Sequence, residues 1–267
     1  MDSTITSLQN PRIRQALRLR SRRGRQQQEK MIIDGGREIL RAGDAGCEIR
    51  EVFFCEAWCE KIEFQSPWTQ VVERNLPLIP VTESIMERLA YGGRTDGLVA
   101  VADLPVTPPL SSWDPSEHAL VAVLEAVEKP GNVGALVRTA DASGVSAVIL
   151  ADAASDPFSP NAIRASVGTV FSLPIFRETT ETTLAWLQQL DFQMLACRVD
   201  GKIDYRDVDW ARRSALILGS EAHGLTQRWD TEDVQSVVLP MLGIADSLNV
   251  STTGAILFYE ALRQRRG

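Results

Sequence analysis

Ala119-Leu120-Val121-Ala122-Val123-Leu124 is an unbroken apolar run, and Glu128-Lys129-Pro130-Gly131-Asn132-Val133-Gly134-Ala135-Leu136-Val137-Arg138 follows it closely. A continuous apolar run reads as a strand covered on both faces, the habit of parallel sheets. From Asn132 to Ser143 the period changes. Val133, Leu136, Val137 and Ala140 fall at i, i+3, i+4 and i+7, one face of a helix that Gly144 ends. Gly131 permits a sharp turn, Asn132 reads as the helix N-cap, and Gly134 leaves open space one turn before Arg138. In a parallel sheet, ligands collect beyond the carboxyl ends of the strands, where a helix N-terminus offers free amides to a phosphate. By itself the stretch also fits a plain strand–turn–helix with a chance arginine.

The alternation continues towards the C-terminus. Residues 147–150, 193–197 and 214–218 read as strands, and 182–189 as a helix. Alternating strands and helices predict an α/β fold with a largely parallel sheet and flanking helices. Leu216-Ile217-Leu218-Gly219-Ser220-Glu221-Ala222-His223-Gly224-Leu225 carries a strand into a glycine-bracketed loop with one carboxylate. His223 is a candidate base there, although a lone loop histidine also reads as incidental. Val237-Val238-Leu239-Pro240-Met241 is a strand stopped by proline. Asp246-Ser247-Leu248-Asn249-Val250-Ser251 follows as a polar loop, with a helix beginning near Ser251. That helix, with Ile256, Leu257, Phe258, Tyr259 and Leu262, is apolar enough for its own core or for a subunit interface. No G-x-x-x-x-G-K-[ST] occurs, and no G-x-G-x-x-G follows a strand, which removes the common nucleotide-binding signatures.

Towards the N-terminus, four of the 13 prolines fall within residues 104–115, and a domain boundary is expected there. Residues 31–103 alternate short strands and helices, enough for a small α/β domain. The net charge of −7 is unevenly spread. Residues 1–41 hold ten Lys and Arg against four Asp and Glu (+6); the other 226 hold 18 against 31 (−13). A basic arm on an acidic body suits a phosphate backbone. Arg12, Arg14, Arg18, Arg22, Arg23 and Arg25 are spaced for a helix with several arginines on one solvent face, which reads either as an RNA contact or as a solvated surface. Cys55 and Cys59 have no second close pair to complete a zinc site, so Cys47, Cys55, Cys59 and Cys197 read as reduced structural thiols. No apolar run approaches membrane-spanning length, and Met1-Asp2-Ser3-Thr4 lacks a secretory signal, so a cytoplasmic location is expected.

In order and spacing, three segments resemble the SpoU/TrmH-type branch of the SPOUT RNA methyltransferases. Asn132, Gly134 and Arg138 match its N-x-G-x-x-x-R; Gly219, Glu221 and Gly224 match its G-x-E-x-x-G; Leu239-Pro240-Met241 and Ser247-Leu248-Asn249-Val250-Ser251 match its third motif. The resemblance covers 119–267. It departs at Glu128-Lys129-Pro130, where many relatives have aspartate before the proline, which leaves the role of residue 128 open. Ser7-Leu8-Gln9-Asn10-Pro11 and the arginine-rich helix are similar to the accessory domain of ribosomal-RNA-modifying members, itself like a small ribosomal protein.

The resemblance implies an RNA-binding domain over 1–104, a linker over 105–116, and a trefoil-knotted methyltransferase domain over 117–267. It implies S-adenosylmethionine (SAM) bound bent in the knot, held by main-chain groups of Gly219, Leu239 and Leu248. It implies methyl transfer to a ribose 2′-hydroxyl of RNA, ribosomal RNA before transfer RNA, by a homodimer that needs no metal. Arg138 takes the central role, with Asn132, Ser247 and Asn249 orienting it and the ribose, and Glu221 supporting them. An arginine pKa above ~12 suits electrostatic positioning of a developing alkoxide better than proton abstraction. The competing expectations are a transfer-RNA enzyme and an RNA-binding assembly factor with a dead site.

Overall fold

The computed structural model describes residues 3–61, 65–93 and 96–266; Met1, Asp2 and Gly267, which the readings above include, lie outside them. The chain divides into two compact units, Met1–Val106 with Asp156–Ser172, and Thr107–Ser155 with Leu173–Gly267.

The N-terminal unit opens with α1 (Pro11–Arg18) and α2 (Arg22–Gln28), two helices where the arginine spacing predicted one. The break has local causes. Ser21 caps α2 by accepting from Gly24 N at 3.1 Å, and a serine able to cap competes with helix continuation. Leu19, fully buried, draws the chain inward between the two. A Cβ at Gly24 would lie 2.0 Å from the Arg18 carbonyl oxygen, so this close approach requires glycine. Then follow β1 (Lys30–Asp34), α3 (Gly36–Asp44), β2 (Ile49–Phe54), α4 (Glu56–Cys59), α5 (Gln65–Glu73), β3 (Leu78–Pro80), α6 (Glu83–Leu89) and β4 (Leu98–Asp103). The sheet order is β1-β4-β2-β3, with β4 antiparallel to both neighbours and β2 parallel to β3. Ile32, Phe53, Val99 and Val101 of the sheet share a core with Ile13, Ala16 and Leu19.

The second unit holds β5 (Leu120–Glu125), α7 (Pro130–Ser143) and β6 (Ala147–Ala151). After α8 (Pro160–Ala165) it resumes with β7 (Ile175–Glu178), α9 (Thr180–Gln189), β8 (Gln193–Cys197), β9 (Ile203–Asp204), β10 (Ser214–Leu218), β11 (Val234–Val238) and α10 (Val250–Arg266). Its sheet runs β7-β6-β5-β10-β8-β11-β9, and every pair is parallel. β5, β6 and β10 are buried along their whole length, which is why 120–124, 147–151 and 215–218 are continuous apolar runs. The proline-dense stretch is not free chain throughout. Leu110 is buried, and Trp113 stacks on Trp186 at 5.7 Å. Proline interrupts backbone regularity but does not keep side chains out of a core.

Segment Asp156–Ser172, although between β6 and β7 in sequence, belongs to the N-terminal unit. There α8 packs on β1. Asp156 Oδ2 accepts from Arg25 Nη2 at 2.6 Å and Nε at 2.9 Å. Arg164 Nη1 donates to the carbonyls of Tyr91 and Gly92.

Candidate active site

Strand order reverses between β5 and β10. The strands that follow β5 in the chain, β6 and β7, lie on one side; β8, β11 and β9 lie on the other. A switch point of this kind opens a crevice beyond the carboxyl ends of the strands. There a cavity of about 580 Å³ is walled by the ends of β8, β10 and β11 and the start of α10. Small-molecule sites run ~300–1,000 Å³.

Gly219, Glu221, Leu239, Ser247, Leu248 and Asn249 all line this cavity. Gly219 leaves β10 against the far side of its own loop: a Cβ there would lie 2.3 Å from the Gly224 carbonyl carbon. Ser220 and Gly224 clasp the loop with paired main-chain hydrogen bonds of 3.2 and 2.9 Å, and Gly224 has a φ of +66°. Neither Gly219 nor any residue from Leu239 to Leu248 uses a main-chain group in a hydrogen bond among the described residues. Of these, the main chain of Gly219, Leu239, Met241, Ser247 and Leu248 lies along the cavity and is available to an occupant.

A polar cluster joins the three sequence segments. Asn132 Nδ2 donates to Glu221 Oε1, and Asn249 Nδ2 donates to Asn132 Oδ1 at 3.4 Å. Asn249 Oδ1 in turn accepts from Ser251 N at 2.9 Å and Ser251 Oγ at 2.6 Å. Asn132 is not the N-cap that its position suggested. Lys129 caps α7, because Pro130, with its preset φ, starts the helix two residues earlier. Released from capping, the Asn132 amide reaches across to the other loops.

Arg138 is not in this cluster. It is exposed, does not line the cavity, and its side chain has no hydrogen-bond or ion-pair partner among the described residues. Six positions along α7 from Asn132 amount to ~9 Å of rise and about 240° of rotation, so the two side chains leave the helix in different directions.

Several cavity residues escaped the sequence reading: Lys129, Cys197, Arg198 and Asp200. The last three sit at the carboxyl end of β8, where the switch-point rule would have directed attention. Arg198 Nη2 is held by Asp230 Oδ1 at 2.6 Å. Burial pushes the Cys197 thiol up to about 11, so it is neutral near pH 7. His223 also lines the cavity, its amide donating to Ser220 Oγ at 3.1 Å. Among the described residues no cluster of His, Cys, Asp or Glu could hold a metal ion.

Of the six arginines singled out, Arg12, Arg14, Arg18, Arg22 and Arg23 are exposed. Arg25 is not: it is 3% exposed, and its guanidinium is used by Asp156 and the Leu19 and Arg20 carbonyls. It is a structural residue and is removed from the RNA-facing set.

The profile of the SpoU rRNA Methylase family matches residues 119–259, and that of the MRM3-like substrate binding domain matches 10–100. A 23S rRNA (adenosine(1067)-2′-O)-methyltransferase of Streptomyces azureus is 30% identical over 86% of this chain and 85% of its own. A solved RNA 2′-O ribose methyltransferase is 37% identical with a TM-score of 0.89, covering 99% of this chain and 100% of that one. The AdoMet-bound rRNA methyltransferase from Sinorhizobium meliloti is 28% identical with a TM-score of 0.85, covering 98% and 97%.

Proposed function

This chain belongs to the SpoU rRNA methylase family and is a SAM-dependent RNA methyltransferase, and from that premise we propose that it methylates a ribose 2′-hydroxyl of ribosomal RNA. The observation that carries the reading is the Glu221–Asn132–Asn249–Ser251 chain, which ties three cofactor-loop segments together at one cavity. The relatives named above that are 2′-O-methyltransferases support the ribose as target and ribosomal RNA as substrate.

The cavity fits the cofactor. Its lining pairs an unused main chain at Gly219, Leu239, Met241, Ser247 and Leu248 with carboxylates and cations, suiting an adenine edge and an amino-acid end. When bound, SAM supplies a methyl on a sulfonium centre, an electrophile. The main chain of Gly219, Leu239 and Leu248 would hold it, with adenine read by amides and carbonyls. Asn132 and Asn249 fix one another and present polar edges to a ribose, and Ser247 adds a hydroxyl. Glu221 holds Asn132 from the opposite side. Arg138 lowers the cost of the negative charge that grows on O2′. Exposed Arg12, Arg14, Arg18, Arg22 and Arg23 of the N-terminal unit grip the RNA phosphates.

The same reading takes 1–104 as the RNA-binding domain and 117–267 as the methyltransferase domain, save the segment Asp156–Ser172 that folds with the N-terminal unit. It makes the chain between β11 and α10 part of a trefoil knot. In support, α10 returns to pack on α7, where a Cβ on Gly254 would lie 2.3 Å from Leu136 Cδ2. The working unit is a homodimer, because Arg138 lies outside the cavity of its own chain and half-exposed Tyr259 on α10 offers an apolar contact. No helix among the described residues is long and apolar enough to cross a membrane, which suits a cytoplasmic place beside ribosomal RNA.

The test is methylation of ribosomal and transfer RNA with radiolabelled SAM. Label is expected in ribosomal RNA, in the sugar, at one alkali-resistant linkage. Label running with a base, or entering only transfer RNA, overturns the reading.

A further inference from the structure

Glu125 ends β5 as a carboxylate only 1% exposed, on an otherwise apolar strand. Placing a charge there is costly unless every lone pair is used. Its partners are all neutral donors. Oε1 accepts from Thr180 Oγ1 at 3.0 Å and Thr226 Oγ1 at 2.7 Å; Oε2 accepts from Thr226 N at 2.8 Å. Thr226 stands directly after the loop Gly219–Leu225, part of the cavity wall. At the other end of that loop, Leu218 of β10 is in register with Leu124 of β5. Two consecutive residues of one strand therefore clamp both ends of the loop, Leu124 through the sheet ladder and Glu125 through its side chain. The Thr226 carbonyl also accepts from Arg198 Nη2 at 3.4 Å, which ties the clamp to a second cavity wall.

We propose that Glu125 is a positioning residue for cofactor binding, closing the loop Gly219–Leu225 into the shape that holds SAM. The inference rests on that loop being the SAM loop. Glu125 touches no cavity space itself; it acts through Thr226. The loop is exposed at residues 221–224; the Ser220–Gly224 pair closes its middle and Leu225 packs on the core, while Glu125 holds Thr226 at its exit. Glutamine keeps the geometry: its oxygen can accept from Thr226 N while its two N–H groups face the two hydroxyls, which can rotate to accept. Alanine removes all three bonds.

The test uses the full chain with SAM alone, read by calorimetry, beside a thermal melt. Glu125→Ala is expected to weaken SAM binding at least about tenfold, and Glu125→Gln by less than about threefold. KM for SAM should rise more than kcat falls in Glu125→Ala. Thr226→Val, which keeps shape and loses one bond on an exposed residue, should weaken SAM binding by about threefold while the melt stays cooperative. It carries the test if Glu125→Ala fails to fold. A folded Glu125→Ala or Thr226→Val protein that binds SAM as wild type does overturns the clamp. Gly219→Ala, whose Cβ meets Gly224, separates the two readings: unchanged SAM affinity there sinks the loop assignment itself.

Discussion

Asn249 Nδ2 donates to Asn132 Oδ1 at 3.4 Å, although 117 positions separate the two in the chain. The bond joins the loop before α10 to the first turn of α7, and Asn132 passes it on to Glu221. Asn132 is thus donor to one neighbour and acceptor from the other, a task that an amide can do and a carboxylate cannot.

Asn132→Asp should therefore place a carboxylate against Glu221 and push the two loops apart. Methyl transfer is expected to fall about a hundredfold, the usual cost of misplacing reacting groups by an ångström. Single-turnover assays at saturating SAM and RNA check this; a rate within threefold of wild type contradicts the role.

Arg138→Ala should leave SAM affinity unchanged, because the side chain lies outside the cavity. Turnover is expected to drop at least about a hundredfold, as when one group stabilising a growing oxyanion is removed. Calorimetry and initial rates separate the two effects. Retention of a tenth of wild-type turnover would end the catalytic assignment.

The arginines should divide by burial. Replacing Arg14, Arg18 and Arg23, whose side chains have no partners among the described residues, is expected to weaken RNA binding and flatten its salt dependence by ~0.7–0.9 per lost phosphate contact. Arg25→Ala should instead cost stability, about 3 kcal/mol, by stranding Asp156 without its cation. Filter binding across a salt series and chemical denaturation read the two outcomes. An Arg25→Ala protein of unchanged midpoint speaks against the buried pair.

A chain begun near Ser112 is expected to aggregate. It would lose β1 and α2 but keep α8 and Asp156, which belong to the N-terminal unit. Buried Ala162, Ile163 and Val170 would then face water. Size-exclusion chromatography and a thermal melt decide; a monodisperse product with a cooperative transition shows that segment Asp156–Ser172 does not need its partners.

Cys197 should resist alkylation at pH 8. With its pKa raised to about 11, the thiolate fraction is ~0.1%, and the rate should climb about tenfold per pH unit up to that value. Peptide mapping after timed iodoacetamide treatment follows Cys197 apart from the other thiols. Saturating SAM should protect it, since it lines the cavity; equal rates with and without SAM would place the cofactor elsewhere.

The parallel sheet was legible because strands buried on both faces are apolar over most of their length, as residues 120–124 and 215–218 are. The three motif segments were legible because glycines and small polar residues stand where a main chain must approach a ligand. The sequence thus carried the fold class, the family and six of the residues that line the cavity, but not Lys129, Cys197, Arg198 or Asp200. It could not show that Asn132 is released from capping, that Arg25 is buried, or that Glu125 reaches Thr226 101 positions away. Nor could it show that residues 156–172, flanked by the strands of one unit, fold with the other. Burial and pairing of a polar side chain depend on what other elements bring to it, and those contacts span gaps of 89 to 131 residues that no local pattern encodes. The tertiary structure decided which arginines face water, which carboxylate clamps a loop, and which amide links the three segments.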